Sequence, residues 1–270
     1  MDNDYQNRLV NLEKVHCVGG EMFDQLVSVT DLKAGLRVLD AGSAYGAVTQ
    51  AILQRNPPKD LTYHLLELSA TQLGIAKSKL AELLSAEQME SKTAFFNESI
   101  LAPSAPEGYY DRIIGKLLWH EIAHANQPEL ARVMHRLLAD EGKLVLWQIT
   151  LEDEMGDFYR AIVREKDRLA GFHSLVTQRY FPNESELLAQ LKDVGFQNIT
   201  CNQALPYHFD SATRLATDFK QDQTKLAQWH EFIRKEASKL SPRGLEQIQY
   251  VDATTHLEMR FSWGLYVAQK

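Results

Sequence analysis

The stretch Val38-Leu39-Asp40-Ala41-Gly42-Ser43-Ala44-Tyr45-Gly46, followed by Ala47-Val48-Thr49-Gln50-Ala51-Ile52-Leu53, decides the fold. An apolar run ends at an acid, small residues make a sharp turn, and a helical pattern starts near Gly46. Residues without bulk let the backbone approach a ligand closely, and the free N–H groups at a helix start suit an anion. A dinucleotide fingerprint needs glycine at the first, third and sixth loop positions. Here those are Gly42, Ala44 and Ala47, a spacing that argues against a nicotinamide enzyme.

Working outward, Leu36–Leu39 reads as the first buried strand and Gly46–Arg55 as a crossover helix that Asn56-Pro57-Pro58-Lys59-Asp60 ends. Tyr63–Leu66 is a second strand ending at Glu67, with a helix from Ala70 to about Leu84 behind it. Thr93–Phe96 is the third strand, followed by Asn97-Glu98-Ser99, and Ala102–Gly108 is a loop by composition. Tyr110–Gly115 reads as the fourth strand and runs into Lys116-Leu117-Leu118-Trp119-His120-Glu121-Ile122-Ala123-His124. A helix over Pro128–Leu138, a turn at Asp140-Glu141-Gly142-Lys143 and a fifth strand over Leu144–Gln148 complete the pattern. Strands alternating with helices predict an α/β fold built on a parallel sheet.

Asp40 followed by small residues at Gly42, Ala44 and Gly46 resembles the first motif of class I S-adenosylmethionine (SAM) dependent methyltransferases, with Ala44 standing where that family usually has glycine. The order of elements from 36 to 150 matches that family throughout. The resemblance implies a Rossmann-like, seven-stranded, mostly parallel sheet with an antiparallel final strand. It implies SAM as cofactor and S-adenosylhomocysteine as its product. Asp40, Gly42, Ala44 and Gly46 would hold the cofactor through the loop, Glu67 would take the ribose hydroxyls, and Leu68 would lie beside them. An acid or amide among Asn97, Glu98 and Ser99 would meet the adenine, with Asn97 and Glu98 both open. The carbonyls near Gly115 and Lys116 would lie by the sulfonium and amino group, and Lys116 and Leu117 are expected among the cofactor-binding residues. Lys116-x-x-x-His120-Glu121 looks like the lysine-then-histidine stretch of small-molecule O-methyltransferases, which implies His120 as general base. Trp119, Trp147 and His173 are the expected substrate-side residues; His124, one helical turn past His120, reads as solvent-facing or as a partner of His120, and His16 and His208 are lesser pocket candidates. Asn56-Pro57-Pro58 resembles a tetrapeptide of amino-group methyltransferases, but it precedes the second strand and reads as a loop.

Past 150, Glu152–Gly171 has the spacing of an amphipathic helix with Phe158, Ile162, Val163 and Leu169 as its apolar positions. Asn183 caps a further helix running to Val194, Ile199 marks a sixth strand, and Phe261–Ala268 a seventh. Between them, about 209–259 carries helical spacing in Leu215, Phe219, Leu226, Trp229, Phe232 and Ile233, so a helical insertion packed with the N-terminal helices is expected. The organisation is therefore one domain over 1–270, with a helical N-terminal cap over 1–34, a SAM-binding core over 35–150 and a substrate-side half over 151–270. In the cap, Gly19-Gly20 separates two short helices.

At 270 residues, with 44% hydrophobic and 24% charged residues, the composition is that of a globular protein. The formal charge of −7 argues against a broad phosphate-binding face and so against a nucleic-acid partner. No apolar run reaches membrane-span length, and the acidic N-terminus is unlike a leader, so no membrane partner and a cytoplasmic location are expected. Cys17 and Cys201 read as free thiols, and no compact metal-ligand spacing occurs. The expected activity is methyl transfer to a hydroxyl of a small molecule. The alternatives are N- or carboxyl-methylation, or a SAM-binding protein that acts without methyl transfer.

Overall fold

The apolar run forms strand β1, Arg37–Ala41, which is buried at every position after Arg37. A strand of that kind needs partners on both edges and cover on both faces. In this computed structural model, which describes residues 19–203 and 207–270, it has both. It pairs in parallel with β2 (Thr62–Leu66), Leu39 opposite His64, and with β4 (Tyr110–Lys116), Leu39 opposite Ile113. With β3 (Thr93–Phe96), β5 (Leu138–Ile149), β6 (Gln197–Gln203) and β10 (Trp263–Gln269), the sheet runs β3-β2-β1-β4-β5-β10-β6. β10 lies antiparallel to both its neighbours. The seven-stranded, mostly parallel sheet with an antiparallel final strand is therefore present.

Helices cover both faces. On one, Met22 and Leu26 of α1 (Gly20–Thr30) join the cluster of Val38, Ile114, Val145 and Trp147. Arg112 fastens that helix to the sheet, its Nε donating to Thr30 O at 2.7 Å and its Nη2 to Asp31 O at 2.9 Å. α2 (Ala47–Leu53) and α3 (Ala70–Ala81) bury Val48, Ile52, Leu73 and Leu80 in the same cluster. On the other face, α5 (Gln127–Leu137) and α8 (Glu184–Asp193) pack Leu130, Met134, Leu187 and Leu191 around Leu39 and Ile113. The Asn183 cap expected for α8 is present as a capping box with Glu186. All four apolar positions expected in α6 (Asp153–Ala170) are buried.

Several elements differ from expectation. A helix α4 (Ala86–Lys92) stands between α3 and β3, with a Ser85–Gln88 capping box that is visible in the sequence. The turn at 140–143 lies inside β5 as an irregularity, where the β4–β5 register passes from Tyr110–Leu138 to Arg112–Lys143. The insertion before the last strand is not all helix. It carries α9 (Thr213–Thr217), α10 (Gln223–Ala237) and α11 (Pro242–Gln247). It also forms a second, three-stranded sheet from β7 (Tyr207–Asp210), β8 (Val251–Asp252) and β9 (Leu257–Phe261), in the order β7-β9-β8. The alternation Leu257, Met259, Phe261, all buried, is a strand period that helical spacing elsewhere in the segment obscured. Its main helix packs on α6, where Trp229 Nε1 donates to Ile162 O at 2.8 Å. The first of the two helices expected around Gly19-Gly20 falls outside the described residues, as do His16 and Cys17; α1 starts at Gly20.

Candidate functional site

In an open parallel sheet, ligands gather beyond the carboxyl ends of the strands, where the strand order changes direction. Here that point lies between β1 and β4, and a cleft of about 110 Å³ opens there. Its lining comes from the segments after four neighbouring strands: Gly42 after β1, Glu67 and Leu68 after β2, Glu98 to Ile100 after β3, and Leu118, Glu121 and Ile122 after β4. The remaining wall is a short helix, α7 (His173–Gln178), which contributes Ser174, Leu175 and Gln178.

The loop after β1 is wound by three left-handed residues at alternate positions, Gly42 (φ 65°), Ala44 (φ 45°) and Gly46 (φ 74°). A side chain at Gly42 would put its Cβ 2.7 Å from Leu118 Cδ1. Ala44 holds a conformation that glycine adopts without penalty, which is the physical meaning of its departure from the usual motif. Two carboxylates fix this loop. Asp40 Oδ2 accepts from Thr49 N at 3.2 Å and Thr49 Oγ1 at 2.8 Å, tying the strand end to the first turn of α2. Burial outweighs those bonds and pushes Asp40 up to about 6. Glu67, 2% exposed, accepts from Ala44 N through Oε2 and from Ser69 N through Oε1, both at 2.9 Å. Burial raises its pKa, and the backbone donors oppose that rise. The Ser43 hydroxyl, buried on the same loop, has no hydrogen-bond partner among the described residues.

The expected residues after β3 divide. The Asn97 amide donates to Glu67 O and Leu68 O, both at 2.9 Å, and so braces the end of β2. Glu98 and Ser99 line the cleft; Glu98 Oε1 accepts from Ser104 N at 2.9 Å. Leu68, 48% exposed, and Ile100 are apolar surfaces in the same lining.

After β4, Lys116 lies with its ammonium 5.9 Å from the Phe23 ring and 5.5 Å from the Trp147 ring, and it lowers Asp40's pKa. Leu117 N donates to Trp147 O at 2.7 Å. His120 is buried, stacked on Phe181 with ring centroids 4.3 Å apart. Its Nδ1 is 2.9 Å from Gln148 Nε2, and its Nε2 is 3.3 Å from Glu121 Oε1. Gln148 Nε2 also donates to Ile149 O at 3.2 Å, so the amide turns its nitrogen toward His120. Nδ1 is then the acceptor, and the neutral ring carries its proton on Nε2, aimed at Glu121. Burial, foremost, lowers the His120 pKa and keeps the ring neutral near pH 7. The group that reaches the cleft is therefore Glu121, with His120 behind it.

None of the three residues expected on the substrate side is among the residues that line the cleft. Trp119 is 1% exposed in the α5–α8 core, its Nε1 donating to Gln190 Oε1 at 2.9 Å, because its side chain points to the far face of the sheet. Trp147 is equally buried, edge-on to Phe23 and Trp263, with an indole N–H that has no partner among the described residues. His173 is exposed at the start of α7, and its neighbours Ser174 and Leu175 line the cleft instead. His124 stacks on Tyr180, and His208 pairs with Glu258 on the small sheet. Nothing in the sequence marks α7 as a cleft wall. Glu121 was visible only as the acid after His120. Among the described residues no group of His, Cys, Asp and Glu could hold a metal ion, and no helix is long and apolar enough to cross a membrane.

A family model described as a methyltransferase domain matches residues 17–201. The chain is 26% identical over 171 residues to an uncharacterized methyltransferase of Geobacillus thermodenitrificans, spanning 63% of this chain and 72% of that one. Its fold is similar to that of a Bacillus halodurans protein of proposed methyltransferase function, with a TM-score of 0.73 at 15% identity, covering 92% and 98% of the two chains. It is also similar to phosphoethanolamine N-methyltransferase 2 of Haemonchus contortus, solved with phosphomonomethylethanolamine and S-adenosylhomocysteine. There the TM-score is 0.55 at 14% identity, covering 92% of this chain and 52% of that one.

Proposed function

The chain belongs to the methyltransferase-domain family and is a SAM-dependent methyltransferase, and from that premise we propose that its acceptor is a small molecule methylated on a hydroxyl beside Glu121. The residues at the strand ends fit the cofactor. The unpartnered Ser43 hydroxyl on the glycine loop suits a polar ligand group, and Leu68 with Ile100 offers apolar surface to a flat base. Glu67 is placed to accept the ribose hydroxyls with the lone pairs left over from Ala44 and Ser69. Glu98 and Ser99 stand on the adenine side, with Asn97 supporting the strand end. Asp40 supports the cofactor loop through Thr49, and Lys116 and Leu117 belong to the segment expected by the amino-acid end. The cleft, of about 110 Å³, is bounded on one side by α7.

SAM supplies a methyl already activated on a sulfonium. The chain's own residues have only to align the acceptor and take up one proton. The observation that carries the hydroxyl reading is the Gln148–His120–Glu121 string ending in the cleft. An acceptor O–H donating to the Glu121 carboxylate is both oriented and made more nucleophilic, and its proton passes to Glu121 as the oxygen gains the methyl. His120 acts through Glu121, donating from Nε2, rather than meeting the acceptor with a free lone pair. The net charge of −7 supports a small acceptor over a nucleic acid.

A second reading, an amine acceptor, has its own support. Glu67, Glu98 and Glu121 line the cleft and no Lys, Arg or His is among its lining residues; Glu121 is paired with Arg179, which leaves Glu67 and Glu98 as the carboxylates that favour a cation. Incubating the enzyme with methyl-labelled SAM and a small-molecule extract separates the two by mass spectrometry of the labelled product. Label on oxygen is expected; label on nitrogen refutes the hydroxyl reading. Glu121→Gln should lower turnover by about a hundredfold while S-adenosylhomocysteine affinity stays near that of the wild type.

A further inference from the structure

Glu121 is the cleft end of a buried chain of ions. Arg179, at the C-terminal end of α7, grips it with Nη2 2.6 Å from Oε1 and Nε 3.2 Å from Oε2. The same guanidinium donates from Nη1 to Asp167 Oδ2 at 2.8 Å. Lys166 bridges Asp167 to Asp218 on α9's C-terminal side, and Arg214 meets Asp218 at 3.3 Å. Side-chain exposures along the chain are 12% for Glu121, 5% for Arg179, 1% for Asp167, 4% for Lys166 and 0% for Asp218. Charges alternate along it, Glu121, Asp167 and Asp218 against Arg179, Lys166 and Arg214.

Stability alone is a poor reason for such a chain, since apolar side chains of similar volume often do as well. Its geometry has a second effect. A lone Glu121 would turn toward water or collapse onto His120 Nε2. The planar fork of Arg179 fixes both oxygens of a carboxylate that lines the cleft. Asp167 in turn holds the guanidinium in that plane.

We propose that Arg179 is a positioning residue of the methyl-transfer site, holding the Glu121 carboxylate between His120 and the cleft. This rests on the role given above to Glu121, and the test separates the two. The groups facing His120 are Glu121 beside it, Arg179 from α7, and the neutral Gln148 and Phe181 from β5 and the segment after α7. Glu121 raises the affinity of the imidazole for a proton and Arg179 lowers it.

The measurement is the titration of the His120 imidazole by NMR in the protein without cofactor, beside the pH profile of kcat/KM. Arg179→Met removes the guanidinium charge that faces Glu121 and His120, so the imidazole should titrate higher by roughly half a pH unit or more, and Glu121→Gln should move it the other way. Arg179→Lys keeps the charge but not the fork. It should restore the titration to near wild type while kcat stays depressed and KM for the acceptor rises. Should Arg179→Met not fold, the Lys and Gln variants carry the test alone. An imidazole titration unmoved by Glu121→Gln, or Arg179→Lys with wild-type kcat and KM, overturns the proposal. Titrations that move as expected, with turnover indifferent to Glu121→Gln, would support the positioning and remove Glu121 from the proton transfer.

Discussion

Glu67 serves two roles that a single pair of variants can separate. It closes the glycine loop by accepting from Ala44 N and Ser69 N, both at 2.9 Å, at a site 2% exposed. Replacing it with Ala leaves two buried N–H groups without a partner, each costing roughly 1–3 kcal/mol, so the fold should lose about 4 kcal/mol. Glu67→Gln keeps the shape but turns an amide nitrogen toward one of those donors, and about half that loss is expected. If the carboxylate also takes the ribose hydroxyls, each charge-assisted bond lost is worth roughly 1.5–3 kcal/mol before water compensates, and S-adenosylhomocysteine affinity should fall about ten- to a hundredfold. Urea unfolding measures the first effect and calorimetric titration with S-adenosylhomocysteine the second, below the unfolding midpoint. A Gln variant that loses stability yet binds within about twofold of wild type would make Glu67 a loop clasp and nothing more. A variant that loses neither would refute the hydrogen bonds themselves.

Asp40 gives a pH signature. Its carboxyl titrates at about 6 instead of 3.8, so its contribution to folding is full below pH 3.8 and is lost as pH rises through about 6, a swing of about 3 kcal/mol. Asp40→Asn should flatten that part of the stability curve, read as urea midpoints between about pH 4 and 7; an unchanged slope refutes the buried, raised carboxyl. Ala44→Gly should stabilise the fold by about 1 kcal/mol, because the left-handed φ of 45° then carries no Cβ clash. Leu68→Ala should leave thermal stability nearly untouched, as its side chain is 48% exposed, while weakening S-adenosylhomocysteine binding about fivefold. Equal affinity would place the adenine elsewhere.

The core of the fold was legible because each signal in it is local. A buried strand, a small-residue turn and a capped helix announce themselves within a few residues, as Asn183 and Glu186 do at the start of α8. The acids at strand ends were legible for the same reason, since Asp40 and Glu67 follow directly on apolar runs. What was not legible depends on contacts between distant segments. Which face Trp119 and Trp147 take is set by the helices each meets, α8 for one and α1 for the other. Lys166 and Asp167 look in sequence like part of a solvated helix face. They are buried because Arg179 and Asp218 arrive from elsewhere. Glu121 was seen as an appendage of His120, and the cleft lining, which includes Glu121 and not His120, shows which of the two faces it.

The placement of β10 has a consequence for how the chain acquires its shape. β10 sits between β5 and β6, and the whole segment with the second sheet intervenes in sequence between β6 and β10. Until that segment has folded back, β5 and β6 each present a bare edge, and Trp147 and Val145 lack the Leu265 and Val267 that lie opposite them. Open hydrophobic edges of this kind recruit other strands, and long-range closure is slow. Assembly of the small sheet from β7 and β9 brings Phe261 next to Tyr207 and so delivers β10 to its slot. The insertion then works as a splint during folding. A lesion in it, even one far from the cleft, should appear first as aggregation during refolding and only afterwards as lost activity.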